Sequence, residues 1–151
     1  MFRLSKEADH WAKGIYKQEP FMIKFDYYYL FLLAGLLAKK SEAIKGEDAQ
    51  LLDEFPLEYK KDQRLIINFL LIVHKKALGI PDSEKERLRS ELVEKFIDFN
   101  NNTFSLAGRN LCNSYANLGF QLLADVLAPP TKASDFLEAY AIEIKKLEEN
   151  F

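Results

Sequence analysis

Along most of the chain, apolar positions recur every three to four residues, the spacing that gives an α-helix one apolar face. Ala8, Trp11, Ala12 and Ile15 make the first such stripe. Ser5 is suited to cap this helix. Lys17-Gln18-Glu19-Pro20 ends it near Tyr16, because proline cannot continue a helix and restrains the residue before it. Phe21 to Phe25 is a short apolar connector that could run extended. Asp26 then reads as the N-cap of a second helix, Tyr27 to about Lys40. That helix is apolar all round, which predicts a central position, and Lys39-Lys40 sit at the end where cations suit the helix dipole.

The acidic stretch from Ser41 to Pro56 reads as a loop with a single helical turn around Ala49–Asp53. A third helix is expected from about Glu58 to Leu78, on a face of Tyr59, Ile66, Leu70, Val73 and Ala77. Gly79 and Pro81 supply its stop. Ser83 and Glu86 have the spacing of a capping box and open a fourth helix through Leu88, Leu92, Phe96 and Phe99, closed by Asn100-Asn101-Asn102. The fifth covers roughly Ser105 to Ala128 and is stopped by Pro129-Pro130. The sixth opens after Ser134 on a stripe of Leu137, Tyr140, Ala141, Ile144 and Leu147, with Phe151 as a last anchor. The expectation is an all-α chain: one domain over residues 1–151, a compact bundle of about six helices with short antiparallel links, and no sheet.

Composition narrows the class. A length of 151 residues suits one domain. A single cysteine excludes a disulfide framework and a zinc ribbon. A net charge of −2 excludes a strongly basic nucleic-acid binder, though not a local patch. The longest apolar run, Tyr27 to Ala38, is shorter than the roughly 20 residues of a membrane span. Met1 to Glu7 lack the apolar core of a secretory signal. A cytoplasmic protein without a membrane partner is expected.

Charge is unevenly spread. From Phe99 to Thr131 only Arg109 and Asp125 are ionised, against a chain average of 29%. Asn110, Asn113, Asn117 and Gln121 follow helical spacing there and make one uncharged polar stripe. Gly108, Cys112, Ala116 and Gly119 make a second stripe of small residues, over which another helix can approach closely. Depletion of charge with retained hydrogen-bonding groups is what the centre of a protein interface shows. Two readings fit: a central helix wrapped by its own bundle, or a surface covered by a partner. Because the second helix also claims the centre, a partner is favoured, docked on Phe104, Asn110, Asn113, Asn117, Gly119 and Gln121. Phe21, Phe25 and Phe104 fall in connectors, where exposed aromatics would act as interface anchors.

Catalytic chemistry finds little support. Cys112 lies in mid-helix on the small stripe and reads as buried structure rather than as an activated thiol. His74 fits the basic end of the third helix, and His10 the surface of the first. Glu7 and His10 give one E-x-x-H spacing with no second copy, which argues against a di-iron bundle. Phosphate-cradling and nucleophile-elbow motifs are absent. The expectation is no catalytic residue, cofactor or metal. For nucleic acid, Lys60-Lys61 and Lys75-Lys76 are the candidate contacts, should the fold gather them on one side.

The stretch Pro20-Phe21-Met22-Ile23-Lys24-Phe25-Asp26-Tyr27-Tyr28-Tyr29-Leu30, followed by an apolar helix with Gly35, resembles the N-terminal part of small helical accessory subunits of bacterial DNA-modification and phage-defence systems. DNA sulfur-modification accessory proteins and the middle subunits of three-component systems built on SMC-like ATPases are the two groups. Phe2-Arg3-Leu4-Ser5-Lys6-Glu7-Ala8 adds to the likeness, which covers the first quarter of the chain and contains no catalytic motif. The resemblance implies a non-enzymatic subunit beside a larger ATPase or nuclease, with nucleic acid contacted indirectly if at all. Self-association remains open, and the alternative is a DNA-contacting factor using the lysine pairs.

Overall fold

In the computed structural model, which describes residues 1–151, both helices that compete for the centre occupy it. The chain runs β1 (Phe2–Ser5), α1 (Lys6–Ala12), α2 (Lys24–Ala38), β2 (Asp48–Leu52), α3 (Gln63–Leu78), α4 (Lys85–Leu88), α5 (Glu94–Phe96), β3 (Ile97–Asp98), β4 (Thr103–Phe104), α6 (Leu106–Val126) and α7 (Ala133–Glu149). No residue of α2 is exposed, as its all-round apolar character predicts. It crosses α6 where two glycines meet. A Cβ on Gly35 would lie 1.9 Å from the Tyr115 carbonyl oxygen, and one on Gly119 would lie 1.8 Å from that of Phe31. The small-residue stripe thus admits α2, and the two backbones touch.

The expectation of a fold without a sheet is overturned. Helices hold 62% of the residues, and two small antiparallel two-stranded sheets hold 9%. β1 pairs with β2 in the register Arg3↔Gln50, Leu4↔Ala49 and Ser5↔Asp48. The turn of helix expected at Ala49–Asp53 is therefore strand. β3 pairs with β4 through Ile97↔Phe104 and Asp98↔Thr103. The Asp98 carboxylate accepts from Asn100 N–H and from Asn101 Nδ2 to close that hairpin.

Local boundaries follow capping chemistry. Ser5 Oγ accepts from Ala8 N–H, and Ser105 Oγ from Gly108 N–H, as N-caps do. α2 begins before Asp26, whose carboxylate instead reaches back to Ile23 N–H at 3.0 Å and takes the Tyr59 hydroxyl at 2.6 Å. Gly79 ends α3 with φ 68°, the left-handed stop glycine permits. Ser83 caps nothing. The fourth helical stretch starts at Lys85, passes through a π-helical turn over Arg89–Val93 and ends at Phe96 rather than Phe99.

One continuous core runs from β1 to α7. Phe2 on β1 meets Phe25, Tyr28 and Phe55 edge-on, with ring centroids 5.0–5.6 Å apart. Trp11 on α1 meets Phe31, Phe120 and Phe136, tying together α1, α2, α6 and α7. The Tyr140 hydroxyl donates to the Leu30 carbonyl at 2.7 Å and pins α7 to α2. α2 and α3 run in the same direction. Tyr29 and Tyr59 pack 5.3 Å apart near their starts, whereas Lys39 and Lys76 near their ends both cover the ring of Phe151. The long link that carries β2 makes this parallel arrangement possible.

Candidate functional site

The uncharged polar stripe of α6 binds the chain's own backbone. Asn113 is buried; its Oδ1 accepts from Arg3 N–H at 3.0 Å and from the Tyr28 hydroxyl at 2.8 Å, and its Nδ2 donates to the Met1 carbonyl. Asn117 is also buried, and its Nδ2 donates to the Glu42 carbonyl at 3.0 Å. The Ser114 carbonyl accepts from Glu42 N–H, so the strap after α2 is stitched along α6. Two non-helical segments, residues 1–3 and 42–43, need partners for their backbone groups. The asparagines supply them without placing a charge in the core.

This placement corrects the expected docking surface. Phe104 is wholly buried, stacked on Phe55 at 5.9 Å. Gly119 faces α2, and Asn113 and Asn117 point inward. Only Asn110 is exposed, with Gln121 half-buried. Phe21 and Phe25 are buried as well. The six residues do not form a shared outer surface.

The lysine pairs are not gathered either. Lys60-Lys61 precede α3 and Lys75-Lys76 lie in its last turn, so most of the helix, on the order of 20 Å at 1.5 Å per residue, separates them. Lys60 pairs with Glu54 at 3.4 Å, Lys75 pairs with Asp82, and Lys76 lies over the ring of Phe151. Lys61 is exposed.

The candidate thiol and imidazole are held as structure. Burial pushes the Cys112 thiol up to about 12, and the Tyr28 hydroxyl lies 3.3 Å from its sulfur. His74 is half-buried, with Nδ1 3.0 Å from the Tyr115 hydroxyl and its ring edge-on to Phe96. Burial, then Lys95, lowers its pKa below the ordinary 6.5. His74 thereby links α3 to α6 rather than standing in solvent at a basic helix end.

The outer face of α3 leaves apolar side chains exposed. Leu65 is 68% exposed and Ile72 53% exposed. Phe69 lies between them, and Lys76 follows one turn on. Positions 65, 69, 72 and 76 share one helix face. Beside this stripe, α2 and α3 enclose a cavity of about 180 Å³ lined only by apolar side chains, among them Tyr29, Leu33, Leu65 and Phe69. α3 carries no acidic residue; its ionisable groups are Arg64, His74, Lys75 and Lys76. Phe151 stacks on Phe69 at 6.0 Å, beneath Lys39 and Lys76; Lys39 Nζ also donates to the Phe151 main-chain oxygen at 2.8 Å, so Lys76 is the cation left at the far end of the groove. The sequence missed this face because its inner positions, Ile66, Leu70 and Val73, already account for an ordinary core stripe. The signal was the surplus, Leu65, Phe69 and Ile72 in addition to them.

No helix is long and apolar enough to cross a membrane. Comparison with known proteins finds no matching family model, no similar curated protein and no similar solved structure.

Proposed function

We propose that the protein works by binding, as a non-enzymatic accessory subunit whose α2–α3 groove receives an acidic amphipathic helix of a larger cytoplasmic protein. The observation that carries this reading is the Leu65–Phe69–Ile72 stripe, an apolar row beside an all-apolar cavity on a helix without acids. A helix laid in a groove presents anchors at i, i+4 and i+7. The cavity has room for one bulky side chain of such a helix. Acidic residues flanking that anchor meet Arg64 and Lys76, and this charge pairing fixes orientation and speeds encounter. The resemblance of Pro20–Leu30 directs the search for the partner to the ATPases and nucleases of DNA-modification and defence operons.

The reading is tested with a fluorescent helical peptide carrying leucines at i, i+4 and i+7 and glutamates on the flanks. Wild type is expected to bind it saturably, and Leu65→Glu and Ile72→Glu to lose that binding while keeping the wild-type melting curve. A lysine-flanked peptide is expected to bind more weakly. Equal binding by the folded variants, or no binding by wild type, overturns it.

A further inference from the structure

Across α2 from the docking groove, α1, the start of α2 and β2 surround a second depression of about 620 Å³. This is within the usual size of small-ligand sites. Its walls hold Lys6, Lys13, Lys24 and His10, with Asp9 as the one carboxylate. Asp9 is already engaged on both oxygens, taking the Tyr27 hydroxyl at 2.9 Å and Lys24 Nζ at 2.9 Å. Its charge is met by Lys24, and each of its oxygens already accepts one hydrogen bond. Lys6 pairs with Glu47 at 2.7 Å, but both side chains are well exposed, so that pair is weak and exchangeable. Lys13 has no carboxylate within ion-pairing distance. The cavity therefore keeps an excess of positive charge, in a chain whose net charge is −2.

The kind of cation indicates the kind of anion. No arginine lines the cavity, so there is no planar fork to take a carboxylate in two parallel bonds. Ammonium groups are compact point charges on flexible stems, suited to converge on a tetrahedral dianion. The imidazole of His10 adds a further hydrogen-bonding group.

We propose that this pocket binds a phosphate monoester, with Lys6, Lys13 and His10 around the phosphoryl oxygens and Lys24, held by Asp9, at its base. The site is independent of the docking groove, and either can fail without the other.

The test uses the full chain at low salt, titrated calorimetrically with inorganic phosphate and with glycerol phosphate, and in a sedimentation arm with vesicles of phosphatidylcholine containing phosphatidic acid. Wild type is expected to bind phosphate saturably at one site. Lys6→Gln/Lys13→Gln is expected to weaken binding roughly tenfold or more, the loss of at least one charge-assisted contact. Lys145→Gln/Lys146→Gln, an exposed pair outside the cavity, is expected to leave it unchanged. Binding of the free ester alone assigns a soluble ligand. Vesicle binding that the Lys6/Lys13 change also abolishes assigns a headgroup. No saturable phosphate binding, or an equal loss in the two double variants, overturns the proposal. Because Lys6 and Lys13 are exposed, an unchanged melting curve separates loss of the site from loss of the fold.

Discussion

Helices α6 and α3 invert the usual reading of charge. α6 carries only Arg109 and Asp125 along its length, and only Leu106, Asn110, Asp125 and Val126 of its residues are exposed. α3 has four ionisable side chains, yet leaves Leu65 and Ile72 in solvent. Missing charge marks the middle of this fold, because the chain's own strand and strap supply the groups that α6 hydrogen-bonds. The exposed apolar row lies instead on a charged helix with more apolar positions than one buried face can use. Depletion of charge does not distinguish an interface from a centre, whereas exposed apolar surplus on an already amphipathic helix is a feature that a buried centre does not produce.

The glycine crossing of α2 and α6 carries the largest expected effect. Helix propensity alone makes Gly119→Ala favourable by up to about 1 kcal/mol. A Cβ 1.8 Å from a backbone oxygen must instead force α2 and α6 apart. Gly119→Ala is expected to lose about 3 kcal/mol or more in urea unfolding, and Gly35→Ala the same. A neutral result would mean that the helices do not touch there.

The asparagines come next. Asn113→Ala strands Arg3 N–H, the Tyr28 hydroxyl and the Met1 carbonyl together, and is expected to cost about 3 kcal/mol at roughly 1 kcal/mol per bond. Asn117→Ala frees only the strap carbonyls and is expected to cost about 1 kcal/mol. Faster amide exchange over residues 42–44 reports the released strap. A surface stripe would give changes near zero at both positions.

His74 tests the joint between the two helices. Its folded pKa is lowered, so the unfolded chain binds the proton more readily. The stability from this residue is complete above the unfolded value of 6.5 and declines as pH falls toward the lower folded value. Unfolding midpoints at pH 7.5 and 5.5 are expected to show this decline in wild type and less of it in His74→Gln. An equal pH dependence in both places His74 outside the joint.

Leu65→Glu gives the smallest stability change, within about 0.5 kcal/mol, as for an exposed position. A large loss would show Leu65 to be core, and the contrast with α6 would collapse.

The helical frame was legible because its signals are local. Ser5, Ser105 and Gly79 act where their chemistry predicts, and the apolar character of Tyr27–Ala38 places α2 at the centre. The sheets were not legible, because each strand is short and β1 finds its partner more than forty residues away. Phe2, Arg3 and Leu4 do alternate in burial, with Ser5 buried after them, but so short a run is too little to separate from a helix start. That omission propagated to the site. Without extended segments, Asn113 and Asn117 have no backbone to bind within the chain, which is what favours a partner in the sequence pattern. Phe104 was likewise read as a connector residue, although it belongs to β4 and closes over Phe55.

The most direct measurement is site-specific photo-crosslinking in the native host, with the reactive side chain at Ile72 on α3 or at Asn110, an exposed uncharged position on α6. One adduct is expected from position 72, mapping to an acidic amphipathic helix of a larger protein, and none of comparable yield from position 110. An adduct from position 110 with none from position 72 would contradict the proposed function.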